Sequence, residues 1–165
     1  MSLTSVLAHL SQFGKAEDVM QFSESSATVA LAAERVGTEP ARIAKTLAFY
    51  DPKDPSRAIL VVTAGDARLH NGSCKRTFGG KPRMLAAEDV EPLTGHPIGG
   101  VCPFANPAGA GVYLDESLKR FEVVYPAAGS ANSAVPTTME ELERLSGALG
   151  WVDVTVGWRA DDTSE

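Results

Sequence analysis

Residues 58–64, AILVVTA, form an almost wholly apolar run rich in β-branched side chains. A run of this kind has no polar face for water and reads as a buried strand. It needs a core around it, and a chain of 165 residues that is 44% hydrophobic supplies one core but not a second full-sized domain. The expectation is therefore a single domain over 1–165. Apolar residues are too frequent for disorder, and charged residues, at 22%, are at ordinary globular usage. No apolar stretch approaches the roughly 18 residues of a membrane span. Residues 1–14 lack the basic region that precedes the apolar stretch of a signal peptide. Two cysteines, Cys74 and Cys102, are too few for a disulfide framework or a Cys-rich zinc site. A reduced, cytoplasmic protein is expected.

Local signals place further elements around the apolar strand. Leu3, Val6, Leu7 and Leu10 fall at helical spacing in residues 2–13. A second helix carries Val29, Ala30, Ala33 and Val36 on one stripe and stops at Gly37. Pro40 suits the first position of another short helix. Residues 43–50 are an apolar run, residues 70–78 a short helix stopped by Gly79-Gly80, and residues 82–86 a short strand. Residues 88–93 form a helical turn ended by Gly95, and the Gly- and Pro-rich residues 95–111 (GHPIGGVCPFANPAGAG) a long structured loop. Strands follow at 111–114 and 121–125, with a helical turn capped by Asp115 between them. Residues 134–136 are a short extended piece. Thr138 and Glu141 make a capping box for a helix over 139–145. Alternation over residues 151–156 gives a last strand. Helices mixed with six or seven strands imply an α+β, or mixed α/β, domain.

The net charge is −6, which argues against a nucleic-acid partner, but its distribution is uneven. Residues 35–83 hold ten Lys or Arg and four Asp or Glu, a local charge of +6. Residues 68–83 hold five basic residues and no acid. Two readings stay open: a surface that steers a polyanion, or a solvated surface whose charges cancel in three dimensions.

Lys45 is the most informative single residue. In an extended segment it shares one face with Ile43, Leu47 and Phe49, so an ammonium sits in an apolar stripe. Its head must reach water, an acid or a ligand anion. The loop Gly99-Gly100-Val101-Cys102-Pro103 can present consecutive backbone N–H groups to an anion or a developing oxyanion, or simply make a tight connection. Cys102 becomes a nucleophile only with a base such as His96 or His70 beside it, and otherwise is a small apolar loop residue. His9, His70 and His96 have no metal-ligand spacing, and there is no nucleophile elbow. The polar turn Gly129-Ser130-Ala131-Asn132-Ser133 can line a pocket.

Several of these elements, in this order, resemble the YbaK family of aminoacyl-tRNA deacylases, which includes the prolyl-tRNA synthetase editing (INS-like) domain. They are RIAKTLAFY at 42–50, LVVTAGDARL at 60–69, LTGHPIGGVCPF at 93–104, VYLDESL at 112–118, and VYPAAGS at 124–130 followed by MEEL. The resemblance is strongest over residues 25–155. It implies a compact domain around a mostly antiparallel, barrel-like sheet. It also implies hydrolysis of the ester of a mischarged tRNA, for instance tRNA-Pro carrying Cys or Ala. A non-catalytic module that binds tRNA or a synthetase is the alternative. The family's critical lysine is matched by Lys45, and its following hydroxyl residue by Thr46. Its GxxxP loop is matched by Gly99, Gly100, Val101, Cys102 and Pro103, and the turn of its amino-acid pocket by Gly129 and Ser130.

The implied chemistry needs no cofactor and no metal, because an aminoacyl ester is already activated and positioning with oxyanion stabilisation suffices. The implied partners are the 3′ acceptor end of an aminoacyl-tRNA and prolyl-tRNA synthetase, with no membrane. Some subfamilies carry histidine or charged residues just after the Gly-Ser turn, where this chain has Ala131 and Asn132. Their amino-acid specificity therefore does not transfer, and cysteinyl, alanyl, seryl and threonyl esters all stay open.

Overall fold

The computed structural model describes residues 2–159. The apolar run is the inner part of β3 (Asp54–Ala64), which pairs antiparallel with β2 (Ile43–Asp51) in the longest ladder of the molecule. Every residue of β3 from Ala58 to Ala64 is buried, because both of its faces are covered. Ala58, Leu60, Val62 and Ala64 point into the main core, which they share with Val6 and Leu10 of α1 (Ser2–Ser11) and with Phe104, Leu114 and Leu142. Ile59 and Val61 point the other way, into a smaller core. There they meet Phe49 of β2 and Cys74 and Phe78 of α3 (Asn71–Phe78). An alternating polar face would have left one of these cores unbuilt.

Further strands extend the hairpin on both sides. They are β5 (Gly111–Asp115), β6 (Val123–Pro126), β8 (Thr137–Thr138) and β9 (Gly150–Val152). The sheet order is β8-β6-β2-β3-β5-β9, curled into a half-barrel. The expected antiparallel character resides in the β2–β3 ladder and in β6–β8, whereas β6 joins β2, β5 joins β3, and β9 joins β5, in parallel. Two small antiparallel ribbons stand apart. β1 (Met20–Gln21) pairs with β7 (Ser133–Ala134), and β4 (Arg68–Leu69) pairs with β10 (Thr155–Val156). The remaining helices are α2 (Val29–Val36), α4 (Ala87–Thr94) and α5 (Met139–Ser146). α5 begins with both hydrogen bonds of the capping box between Thr138 and Glu141.

Two local readings are corrected. Residues 82–86 make a single bridge, Met84 to Phe49, and no strand. The alternating residues 151–156 are not one strand but β9 and β10. Buried Asp115 breaks them apart: its carboxylate accepts hydrogen bonds from Val154 N at 2.9 Å and Thr155 Oγ1 at 2.5 Å. Capturing that N–H ends pairing with β5 and sends the chain to β4.

Candidate active site

Lys45 lies near the start of β2, on the sheet face that α2 covers at Ile43 and α3 covers at Phe49. It is half-buried and makes no hydrogen bond or ion pair among the described residues. Burial pushes its ammonium below the ordinary lysine value, an effect that Asp66 partly opposes. Asp66 is itself held by Arg120 through contacts of 2.6 and 3.0 Å, so it offers Lys45 a distant charge and no contact. Among the described residues no anion is in contact with this half-buried cation.

Lys45 opens on a cleft of about 230 Å³. Thr46, Gly99 and Val101 line it with Lys45, so four of the residues singled out in the sequence meet on its walls. Of the other walls, only Ser133, in the polar turn 129–133, is singled out in the sequence. They are the segment Ser26 to Thr28 leading into α2, Tyr125 of β6, and a group of small residues that includes Ala32, Ala44, Ala127 and Ser133. Thr28 caps α2, accepting from Leu31 N, and the preceding Ser26 N donates to Ala131 O at 2.6 Å. Residues 20–26 are thereby stitched to residues 131–134 across more than 100 residues of chain.

The remaining candidates stand behind the cleft. Gly100 N donates to Pro97 O at 2.9 Å, closing a β-turn whose third residue, Gly99, has φ +90°. That is the type II geometry, which requires a residue free to take positive φ. Gly100 therefore does not present its N–H to a ligand. The N–H groups of Gly99 and Val101 make no hydrogen bond among the described residues, and both residues border the cleft. Gly100 contributes closeness instead. A Cβ there would lie 2.9 Å from Ser130 Cα and 3.0 Å from Ser130 N, so the loop and the Gly129–Ser130 turn touch backbone to backbone. Gly129 is pressed in turn against Ser2 and Val6 of α1. Ser130 Oγ donates to Ser133 Oγ at 2.8 Å, and it is Ser133, not Gly129 or Ser130, that reaches the cleft wall. Asn132 turns away to donate to Phe22 O at 2.8 Å.

Cys102 and Pro103 are buried in the interior. His96 Nε2 lies 3.4 Å from Cys102 Sγ, the separation a thiol–imidazole pair needs. The chemistry of such a pair is missing. Nε2 also lies 2.7 Å from Phe104 O, a carbonyl that only accepts, so Nε2 carries the proton and cannot take one from the thiol. Nδ1 accepts from Ser2 Oγ. Burial holds His96 below the ordinary histidine range and pushes the Cys102 thiol up to about 12, leaving both neutral. Cys102→Ala is expected to leave turnover per folded molecule within about twofold of the parent, because a buried neutral thiol beside a histidine that cannot take its proton is no nucleophile. A large specific loss in single-turnover assays would restore the cysteine as nucleophile.

Among known proteins, the profile of the aminoacyl-tRNA editing domain matches residues 23–145. An uncharacterized protein of Bacillus subtilis (strain 168), YwhH, is 49% identical over 158 residues, which cover 96% of this chain and 99% of that protein. A solved structure assigned as a candidate trans-editing enzyme for prolyl-tRNA synthetase is 34% identical. It superimposes with a TM-score of 0.83 over 94% of this chain and 98% of its own. A hypothetical protein, APE2540, is 31% identical with a TM-score of 0.79 over 92% of this chain and 99% of its own.

Proposed function

Because the chain belongs to the aminoacyl-tRNA editing domain family, we propose that it is a free-standing deacylase that hydrolyses the ester of a mischarged tRNA in trans. The reading takes tRNA-Pro carrying a small amino acid such as Cys or Ala as substrate, and prolyl-tRNA synthetase as the partner that makes it, in the cytoplasm. One observation carries the reading. A half-buried lysine and a Val101 N–H, both without a hydrogen-bond partner among the described residues, border the same small-walled cleft.

In this mechanism Lys45 holds the phosphate of the terminal nucleotide, and the Val101 N–H receives the ester carbonyl oxygen. Water adds to the carbonyl carbon, and the oxygen becomes an oxyanion held by that N–H. The bond from carbon to the ribose oxygen then breaks. The ribose oxygen takes up the proton given by the water, releasing free amino acid and tRNA. Apart from Lys45 and Tyr125 the cleft walls carry no titratable side chain. The proton therefore passes through the substrate's own amino or hydroxyl groups. Walls of alanine and serine favour a small acyl group. The deciding experiment is a deacylation panel with tRNAs bearing cysteine, alanine, serine, threonine and proline. Release of a small amino acid is expected. Binding without release from any of them would make the chain a non-catalytic module.

Affinity for tRNA is assigned to the basic segment. Arg35, Arg42 and Arg57 are engaged by acids, whereas Lys53, Lys75 and Lys81 are exposed and form no ion pair among the described residues. Lys75 and Arg76 ride on α3, which packs through Phe78 against Phe49 on the sheet face that also carries Lys45. Reversing both charges is expected to weaken binding of all tRNAs alike and to lower the salt slope by roughly one unit for each phosphate no longer neutralised. An unchanged salt slope in a binding titration would place the nucleic acid elsewhere.

A further inference from the structure

The Lys45 cleft has a neighbour. A depression of about 190 Å³ adjoins it, with Thr46, Gly99 and Val101 as the shared wall. Its other walls, among them Met84, Leu85, Val90 and Ile98, are apolar. Met84 and Ile98 are 51% and 66% exposed, two large apolar side chains that together line one opening.

Both openings lie along one gap in the sheet. β6 accompanies β2 only at Ile43 and Ala44, and the next pairing on that side is the single bridge from Phe49 to Met84. Residues 45–48 therefore present a strand edge with no strand beside it among the described residues. Thr46 Oγ1 is buried at this gap and has no hydrogen-bond partner among the described residues. A buried hydroxyl without a partner costs free energy that a ligand hydroxyl would recover.

We propose that the apolar depression seats the purine base of the terminal adenosine, with the ribose hydroxyls at Thr46 and the acyl group in the Lys45 cleft. The proposal rests on the deacylase reading for the acyl group, but its nucleoside half is separable from it. A purine offers a flat π face to the Met84 thioether and the Ile98 side chain, and a polar edge to the open backbone of β2. The ribose is the group that joins base to ester, and Thr46 is the residue that joins the two openings. The assignment also divides the walls by chemistry. Alanine and serine walls suit a small acyl group, and the half-open apolar slot suits a flat base whose edge stays wet.

The test uses the full chain labelled with ¹³C at its methionine methyl groups and titrated with AMP. The Met84 methyl is expected to shift saturably, with Met20 and Met139 unmoved. Ribose 5-phosphate, which lacks the base, is expected to leave Met84 unmoved. An unmoved Met84 at millimolar AMP, or an equal shift with ribose 5-phosphate, overturns the proposal. In aminoacyl-tRNA hydrolysis Met84→Ala is expected to raise KM about three- to tenfold, more than it lowers kcat. An unchanged KM also overturns it. Saturable AMP shifts at Met84 in a chain that hydrolyses no aminoacyl-tRNA would retire the deacylase reading and keep the nucleoside site. Hydrolysis with an unresponsive Met84 would do the reverse.

Discussion

Lys45→Ala is expected to remove deacylation while the protein stays folded. Taking away one partner of a desolvated charge pair costs about 2–5 kcal/mol, which is roughly thirtyfold to several thousandfold in rate. The stability side has the opposite sign. Burial lowers the Lys45 pKa below its ordinary 10.5, so the charged form is disfavoured in the folded chain. Between the lowered value and 10.5 the unfolded chain binds more protons at this site, and stability therefore rises with pH across that window. Lys45→Met, which keeps much of the aliphatic stem, should flatten that rise and melt no lower than the parent at neutral pH. A folded Lys45→Ala variant with parental hydrolysis would sink the assignment. Loss of activity and of thermal stability together would make the lysine structural.

Substituting either glycine of the turn should lower turnover about 10²–10³-fold, the usual cost of losing one oxyanion donor. The two act through different physics. At Gly99 the obstacle is φ +90°, which an L side chain resists by about 1–2 kcal/mol, while the space is adequate, with Ala131 Cβ at 3.4 Å. At Gly100 the backbone angle is not of that kind, but an added Cβ would press on Ser130 backbone atoms at 2.9 and 3.0 Å. Those atoms cannot retreat easily, because neighbouring Gly129 is already wedged against Ser2 and Val6. Gly100→Ala should therefore displace the loop, and the Val101 N–H with it, more than Gly99→Ala does. Binding of tRNA through Lys75 and Arg76 should change little in either. Single-turnover hydrolysis beside a melting curve separates a misdirected donor from simple instability. Parental rate constants in both folded variants would remove the oxyanion role from this loop.

Much of this protein is decided by residues close together in the chain. The apolar run 58–64 marked the inner part of β3, the pair Thr138 and Glu141 marked the start of α5, and Gly37, Gly79 and Gly95 marked the ends of α2, α3 and α4. Each helix boundary rests on a hydrogen bond or a dihedral within about four residues, and the strand on an unbroken apolar run, so local sequence carries them. The oddity of Lys45 was equally local, a charge at a position of apolar period.

What tertiary structure alone decided is which groups remain available. The Gly100 N–H looks like a donor in the sequence and is consumed by Pro97 O. Cys102 looks like a loop thiol and lies in the core, beside a histidine whose proton is committed to Phe104 O. Ser26, Tyr125 and Ser133 become cleft walls because β1 pairs with β7 and β6 with β2 across more than 80 residues of chain. Asp115 splits the last strand from nearly 40 residues away. A hydrogen-bonding group can be assigned only when its partner is known. For these residues the partners are distant in sequence, and only the packed sheet brings them within reach.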